Sequence, residues 1–192
     1  MRNHRLVLAG VLSGLMFLQG CVGVALIGGG AAAVAANDRR TVGAQIDDKA
    51  IVVKATQQIK SVEGLTDAVH VNITSVNGTV LISGETPDAE TRDKVLGAVR
   101  TVSGVRHTVN EIRIAPASTG ANRANDTWLT GKVRAALIGA KNLDSAQVKV
   151  VTENATVYLM GLVNKAEGDA AAAAAAEVGG VERVVKLFEY LD

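Results

Sequence analysis

The chain has 192 residues, 20 lysines and arginines against 19 aspartates and glutamates, a net charge of +1, and only 3% aromatic residues. Near-neutrality without blocks of like charge excludes a general nucleic-acid footprint. A single cysteine excludes any internal disulfide.

In chain order, Arg2, His4 and Arg5 form a positive start and Leu6 to Leu18 an apolar stretch. Leu18-Gln19-Gly20-Cys21 then places a small residue directly before the cysteine. This is the layout of a secretory signal with a small-residue cleavage site. A lipoprotein signal peptidase needs a cysteine at the new N-terminus, because its thiol accepts the diacylglycerol. The expectation is a signal peptide over residues 1–20 and a covalent lipid on Cys21, with no other cofactor. One acyl chain anchors a protein marginally, whereas two or three hold it stably.

Residues 22–36 contain only Val, Gly, Ala, Leu and Ile. Alone they are too short to span a bilayer and too rich in glycine for a stable isolated helix. They read as part of a tether over 21–45. The competing reading joins them to the signal as one uncleaved membrane helix. Gly28, Gly30 and Ala33 match the spacing of a dinucleotide fingerprint, but they lie in the tether and not between a strand and a helix. Val22 stands where an inner-membrane retention signal would place Asp. By analogy with lipoprotein sorting in diderm bacteria, this points to the outer membrane, facing the periplasm.

The rest of the chain repeats itself. Asn77-Gly78-Thr79-Val80-Leu81-Ile82-Ser83-Gly84 returns as Asn154-Ala155-Thr156-Val157-Tyr158-Leu159-Met160-Gly161. Val102-Ser103-Gly104-Val105 returns as Val178-Gly179-Gly180-Val181, and Ile51, Lys54, Ala55 and Ile59 return as Leu129, Lys132, Val133 and Leu137. Two homologous domains follow, 46–115 and 125–192. Residues 116–124, with Pro116 and Gly120, have linker composition.

Each domain reads as helix, hairpin, helix, strand. Leu129, Val133, Ala136 and Leu137 share one helical face, with Asp126 as the expected N-cap. Val69, Val71 and Ile73 alternate with His70 and Asn72, and Asn77-Gly78 supplies the turn before Val80 to Ile82 returns. The second repeat turns around Glu153-Asn154. A second helix starts near Pro87 in the first domain and covers about 164–178 in the second. Gly104 and Gly179-Gly180 end these helices, and strands over 105–114 and 181–191 close the units. The fold class is α+β, in tandem αββαβ order.

Catalytic patterns are missing from the sequence. Outside the signal only His70 and His107 remain, both in predicted strands of one repeat. There is no nucleophile elbow, phosphate loop or His-Glu-x-x-His. Asp88, Glu90 and Asp93 are spaced along a helix surface, where solvated faces carry charge. The chain reads as a non-enzyme with no metal site.

Trp128, the only tryptophan, projects away from the apolar face of its helix, as does Ile138, while Lys132 and Arg134 flank them. Tryptophan favours the bilayer interface, and each nearby cation contributes roughly 1 kcal/mol against anionic lipid. The alternative packs Trp128 into the groove between the domains. The first domain has Ala50 at this position.

Several segments carry a family resemblance. They are Asp38-Arg39-Arg40-Thr41-Val42-Gly43 with Gln45 and Asp47-Asp48, Asn110-Glu111-Ile112-Arg113, and Asn125-Asp126-Thr127-Trp128 with Lys132-Val133-Arg134. The run from Val148-Lys149-Val150 through Met160-Gly161-Leu162-Val163 adds to them. Together with the αββαβ repeat and the V-x-G-V turn, the sequence resembles the BON domain. Two such domains behind a lipobox resemble the dual-BON outer-membrane lipoproteins. The alanine run 170–176 departs from the pattern.

That resemblance implies binding of anionic phospholipid, phosphatidylglycerol or cardiolipin, through the first helix of the second domain. Thr127, Trp128, Lys132, Arg134, Ala135 and Ile138 are the residues that inherit this role. It further implies a palmitate-type anchor, support of envelope integrity, enrichment at the cell division site and a link to the outer-membrane barrel assembly machinery. The alternatives are a periplasmic interaction scaffold or chaperone-like factor, and a polysaccharide binder, which would need more exposed aromatics.

Overall fold

A computed structural model describes residues 38–65 and 68–191, all within one compact unit, 38–192. The signal peptide, Cys21 and residues 21–37 of the tether lie outside the described residues. Among the described residues, no helix is long and apolar enough to cross a membrane.

Both repeats form the expected order. The first comprises α1 (Val42–Lys60), β1 (His70–Val76), β2 (Thr79–Thr86), α2 (Ala89–Arg100) and β3 (His107–Ile114). The second comprises α3 (Gly120–Gly139), β4 (Lys149–Glu153), β5 (Thr156–Val163), α4 (Lys165–Ala176) and β6 (Arg183–Tyr190), with one 3-10 turn at Ser145–Gln147. In each sheet the hairpin's return strand is central, antiparallel to the strand before it and parallel to the last. A parallel neighbour needs a crossover, and α2 and α4 supply it.

The alternation of each strand divides its side chains between two cores. Val80 and Ile82 join Ile51, Ala55, Val95 and Val99 beneath the helices of the first domain. Val157 and Leu159 do the same with Val133, Leu137, Ala171 and Ala175 in the second. The opposite strand faces, with Val76 and Leu81 from one sheet and Tyr158 and Met160 from the other, make a third cluster between the sheets. The layering is therefore helices, sheet, sheet, helices. The alanine run fits this packing: Ala171 and Ala175 are fully buried. At Gly168 even a methyl group would press on the rings of Phe188 and Tyr190. Small side chains let α4 lie close to its sheet.

One buried carboxylate per domain secures each hairpin. Asp48 on α1 accepts from the amides of Asn77 (2.7 Å) and Gly78 (2.9 Å), from Ser75 Oγ (2.6 Å) and from Arg40 (3.0 Å). Asp126 on α3 accepts from the amides of Asn154 (2.9 Å) and Ala155 (3.0 Å). The turn of the second repeat is thus centred on Asn154-Ala155, both at positive φ. Alanine in that conformation costs about 1 kcal/mol, which the charge-assisted bonds to Asp126 offset. Asp126 is consequently not the N-cap of α3. Thr119 caps it, accepting from Asn122 N at 3.2 Å, and residues 120–124, expected as linker, are helical. Those first turns of α3 touch no core, so they leave no apolar periodicity in the sequence.

Other boundaries move by smaller steps. Asp88, one residue after Pro87, caps α2, and Asn164 caps α4 in a capping box with Glu167. The end of the expected tether is structured: α1 begins at Val42, capped by Thr41. Just before it, Arg39 crosses to the second domain. Its guanidinium meets both oxygens of Glu167 (2.6 and 2.7 Å) and the Leu162 carbonyl (3.2 Å), while its amide donates to Gln147 Oε1 (3.0 Å).

Further polar bonds join the domains. Tyr158 and Arg183 of the second both donate to Glu111 of the first, at 3.1 and 2.8 Å. Burial first, and the charge of Glu111 next, push the Tyr158 hydroxyl up to about 12, so it stays a donor.

Candidate functional site

α3 turns one face to its core through Asp126, Leu129, Val133 and Leu137, all buried. With about 100° per residue, positions 128, 131, 135 and 138 fall together on the opposite side. All four are exposed and none is charged: Trp128, Gly131, Ala135 and Ile138. Trp128 is 61% exposed and Ile138 75%, which places the tryptophan on the surface and not in the groove between the domains. Gly131 was absent from the sequence expectation. Its signal lay in the spacing, since a residue without a side chain between Trp128 and Ala135 flattens the stripe.

Cations border this stripe on both sides. Arg134 is exposed, and its charge, after burial, helps to hold Lys149 below the ordinary lysine value. Lys132 is half-buried. Its Nζ sits 4.3 Å from the centre of the Trp128 ring and donates to the carbonyl of Gly179 at 2.6 Å. A cation over an indole at an exposed site contributes about 0.5–1 kcal/mol, and here it also orients the ring. Thr127 is exposed, but its hydroxyl donates back to the Arg123 carbonyl at 2.9 Å.

Five of the six residues singled out by sequence thus share one open surface, and Lys132 is fastened at its edge. Cys21 lies outside the described residues. The charged residues on and beside α2 serve the helix itself: Asp88 caps it, and Glu90 and Asp93 pair with Lys94 and Arg92. His107 is exposed at the start of β3. His70 instead lies against Glu153 of the other domain, its Nε2 3.7 Å from Glu153 Oε1. Burial is the main cause that raises the Glu153 carboxyl above its ordinary value.

Residues 47–116 and 125–192 match the BON domain. The chain belongs to the BON-domain family. As a dual-BON chain it is 36% identical over 185 residues to the outer membrane lipoprotein DolP of Haemophilus influenzae, an alignment covering 96% of each protein. The 21 kDa hemolysin of Actinobacillus pleuropneumoniae is 29% identical over 154 residues, covering 80% of this chain and 79% of that one. The osmotically-inducible protein Y of Escherichia coli is 26% identical over 146 residues, covering 74% and 72%. This is a DolP-like dual-BON outer-membrane lipoprotein, and its kinship places it at the outer membrane.

Proposed function

We propose that this BON lipoprotein is a non-catalytic membrane-contact protein. It binds anionic phospholipid of the phosphatidylglycerol or cardiolipin type through the exposed face of α3 and thereby supports outer-membrane integrity. The observation that carries this reading is the uncharged stripe Trp128–Gly131–Ala135–Ile138, open to solvent and bordered by Lys132 and Arg134. An indole favours the interface, where its ring is half buried and its N–H stays hydrated. Two small residues between the anchors let the helix lie flat on headgroups. A lipid on Cys21 would keep this face at high effective concentration, so a weak site suffices. The same resemblance extends the reading to a periplasm-facing position, the division site and the barrel assembly machinery.

The alternative, a protein-interaction scaffold or chaperone-like factor, draws on exposed Val42, Ile46 and Val53 of α1. Vesicle co-sedimentation separates the two readings. The chain from Asp38 onward holds every described element, and it should sediment with phosphatidylglycerol vesicles and not with phosphatidylcholine. Trp128→Glu should weaken that partition about tenfold, equivalent to 1.4 kcal/mol, with circular dichroism unchanged. Charge reversal at Lys132 and Arg134 should remove the preference for anionic lipid. Equal sedimentation of wild type and Trp128→Glu would sink the lipid reading.

A further inference from the structure

The interface between the two sheets is apolar at one end and acidic at the other. At the acidic end His70 of β1 and Glu85 of β2 are partners across the hairpin ladder. Glu153, the last residue of β4, faces them from the second domain. One donor atom from each lies within 4.8 Å of the others. Glu85 is 2% exposed and Glu153 4%, whereas the His70 side chain is 21% exposed.

Neutral donors hold the carboxylates in place. Asn72 Nδ2 donates to Glu153 Oε2 at 2.7 Å, and the amide of Ser118 donates to Glu85 Oε2 at 3.0 Å. Asn154 Nδ2 donates to the other oxygen of Glu85. Among the described residues, however, no lysine or arginine pairs with either carboxylate. Two carboxylates buried side by side repel each other and lose their hydration, and a cation between them removes both costs. The Ser118 hydroxyl, on the residue whose amide donates to Glu85, has no hydrogen-bond partner among the described residues.

We propose that His70, Glu85 and Glu153 bind one divalent transition-metal ion of the zinc type, and that this ion clamps the two BON domains together. One imidazole and two carboxylates form a mixed nitrogen and oxygen set, which suits zinc better than the all-oxygen shells of calcium or magnesium. Bonds of about 2.0–2.1 Å around a tetrahedral ion hold its donors about 3.4 Å apart. The trio must therefore contract modestly, and His70, the least buried of the three, is the member with room to turn inward, exchanging the 3.3 Å contact of its Nε2 with Asn72 Nδ2 for the ion. Its open side also admits the ion and leaves a fourth position for water. The hydrogen bonds from Asn72, Ser118 and Asn154 would orient the ligating carboxylates, as outer partners do in established sites.

The test uses the untagged full chain in detergent micelles, stripped with chelator and titrated with zinc chloride. Zinc at a hundredfold excess over its dissociation constant should raise the melting midpoint by about 5 °C or more, with one equivalent bound by calorimetry. Cobalt in its place should give the visible absorption of a tetrahedral site. His70→Asn and Glu153→Gln should each abolish the shift and the cobalt bands, while His107→Asn keeps both. If Glu153→Gln fails to fold, His70→Asn and the cobalt spectrum decide. No shift in the wild type, or binding that survives His70→Asn, would overturn the proposal. Vesicle binding plays no part in these readouts.

Discussion

The two BON domains agree on the buried face of their first helix and diverge where that helix meets water. α1 and α3 bury corresponding residues, Asp48, Ile51 and Ala55 against Asp126, Leu129 and Val133. Their outer faces differ. α1 exposes Val42 and Ile46 near its start and Val53 past its middle, interrupts them with Lys49 and ends in Lys60. α3 has Gly120, Ala124 and Gly131 at the corresponding positions, then Trp128 where α1 has Ala50 and Ile138 where α1 has Lys60. A duplicated fold constrains the face that packs and leaves the solvent face free to change. Specialisation is therefore to be sought on the second domain's open helix.

Three sets of measurements can break or sharpen that comparison. The largest effect belongs to Gly84 and Gly161, which have positive φ at matching places in β2 and β5. A Cβ on Gly84 would overlap the His70 carbonyl, and one on Gly161 the Gln147 carbonyl. Gly84→Ala and Gly161→Ala should each cost about 4 kcal/mol or more in urea unfolding, within the range of severe backbone clashes. A mild effect at one position alone would show that the domains are not equivalent even in their sheets.

The aspartate clamps should come apart next. Asp48 holds four donors and Asp126 two. Removing buried charge-assisted bonds, Asp48→Ala should cost about 3 kcal/mol and Asp126→Ala about 2 kcal/mol. Equal losses would mean that Arg40 and Ser75 add nothing to the first clamp.

The smallest effect is one of pH. The hydrogen bond from Arg39 is the first cause that holds the Glu167 carboxyl below its ordinary 4.5, and burial opposes it. The first domain has Thr91 in place of Glu167, so the effect has no twin. A carboxyl depressed in the folded state stabilises above its unfolded value, and that contribution is lost as pH falls through the folded value. Arg39→Met should therefore lower stability by about 1 kcal/mol at pH 7, with the difference from wild type shrinking below pH 4.5. A pH-independent difference would assign Arg39's role to the bond from its guanidinium to the Leu162 carbonyl.

Much of this was legible in the residues. Alternation in β1 and β2, the Asn77-Gly78 turn and the recurring motifs are local signals, and the αββαβ order followed from them. Trp128 was legible as exposed because helical geometry alone turns it away from the apolar face of Leu129, Val133 and Leu137. The start of α3 was not, because its first turns bury nothing. Nor could Asp126 be told from an N-cap: both roles place a carboxylate near backbone amides, and only the fold shows that the amides belong to Asn154 and Ala155.

By itself the sequence determined the duplication, the order of elements and the open face of α3, since these depend on periods of two and 3.6 residues along the chain. Only the tertiary structure decided what meets between the two domains. Arg39 reaching Glu167, Tyr158 reaching Glu111, and His70 and Glu85 converging with Glu153 join residues far apart in the chain. Their proximity arises from the packing of one domain on the other, and no spacing in the sequence records it.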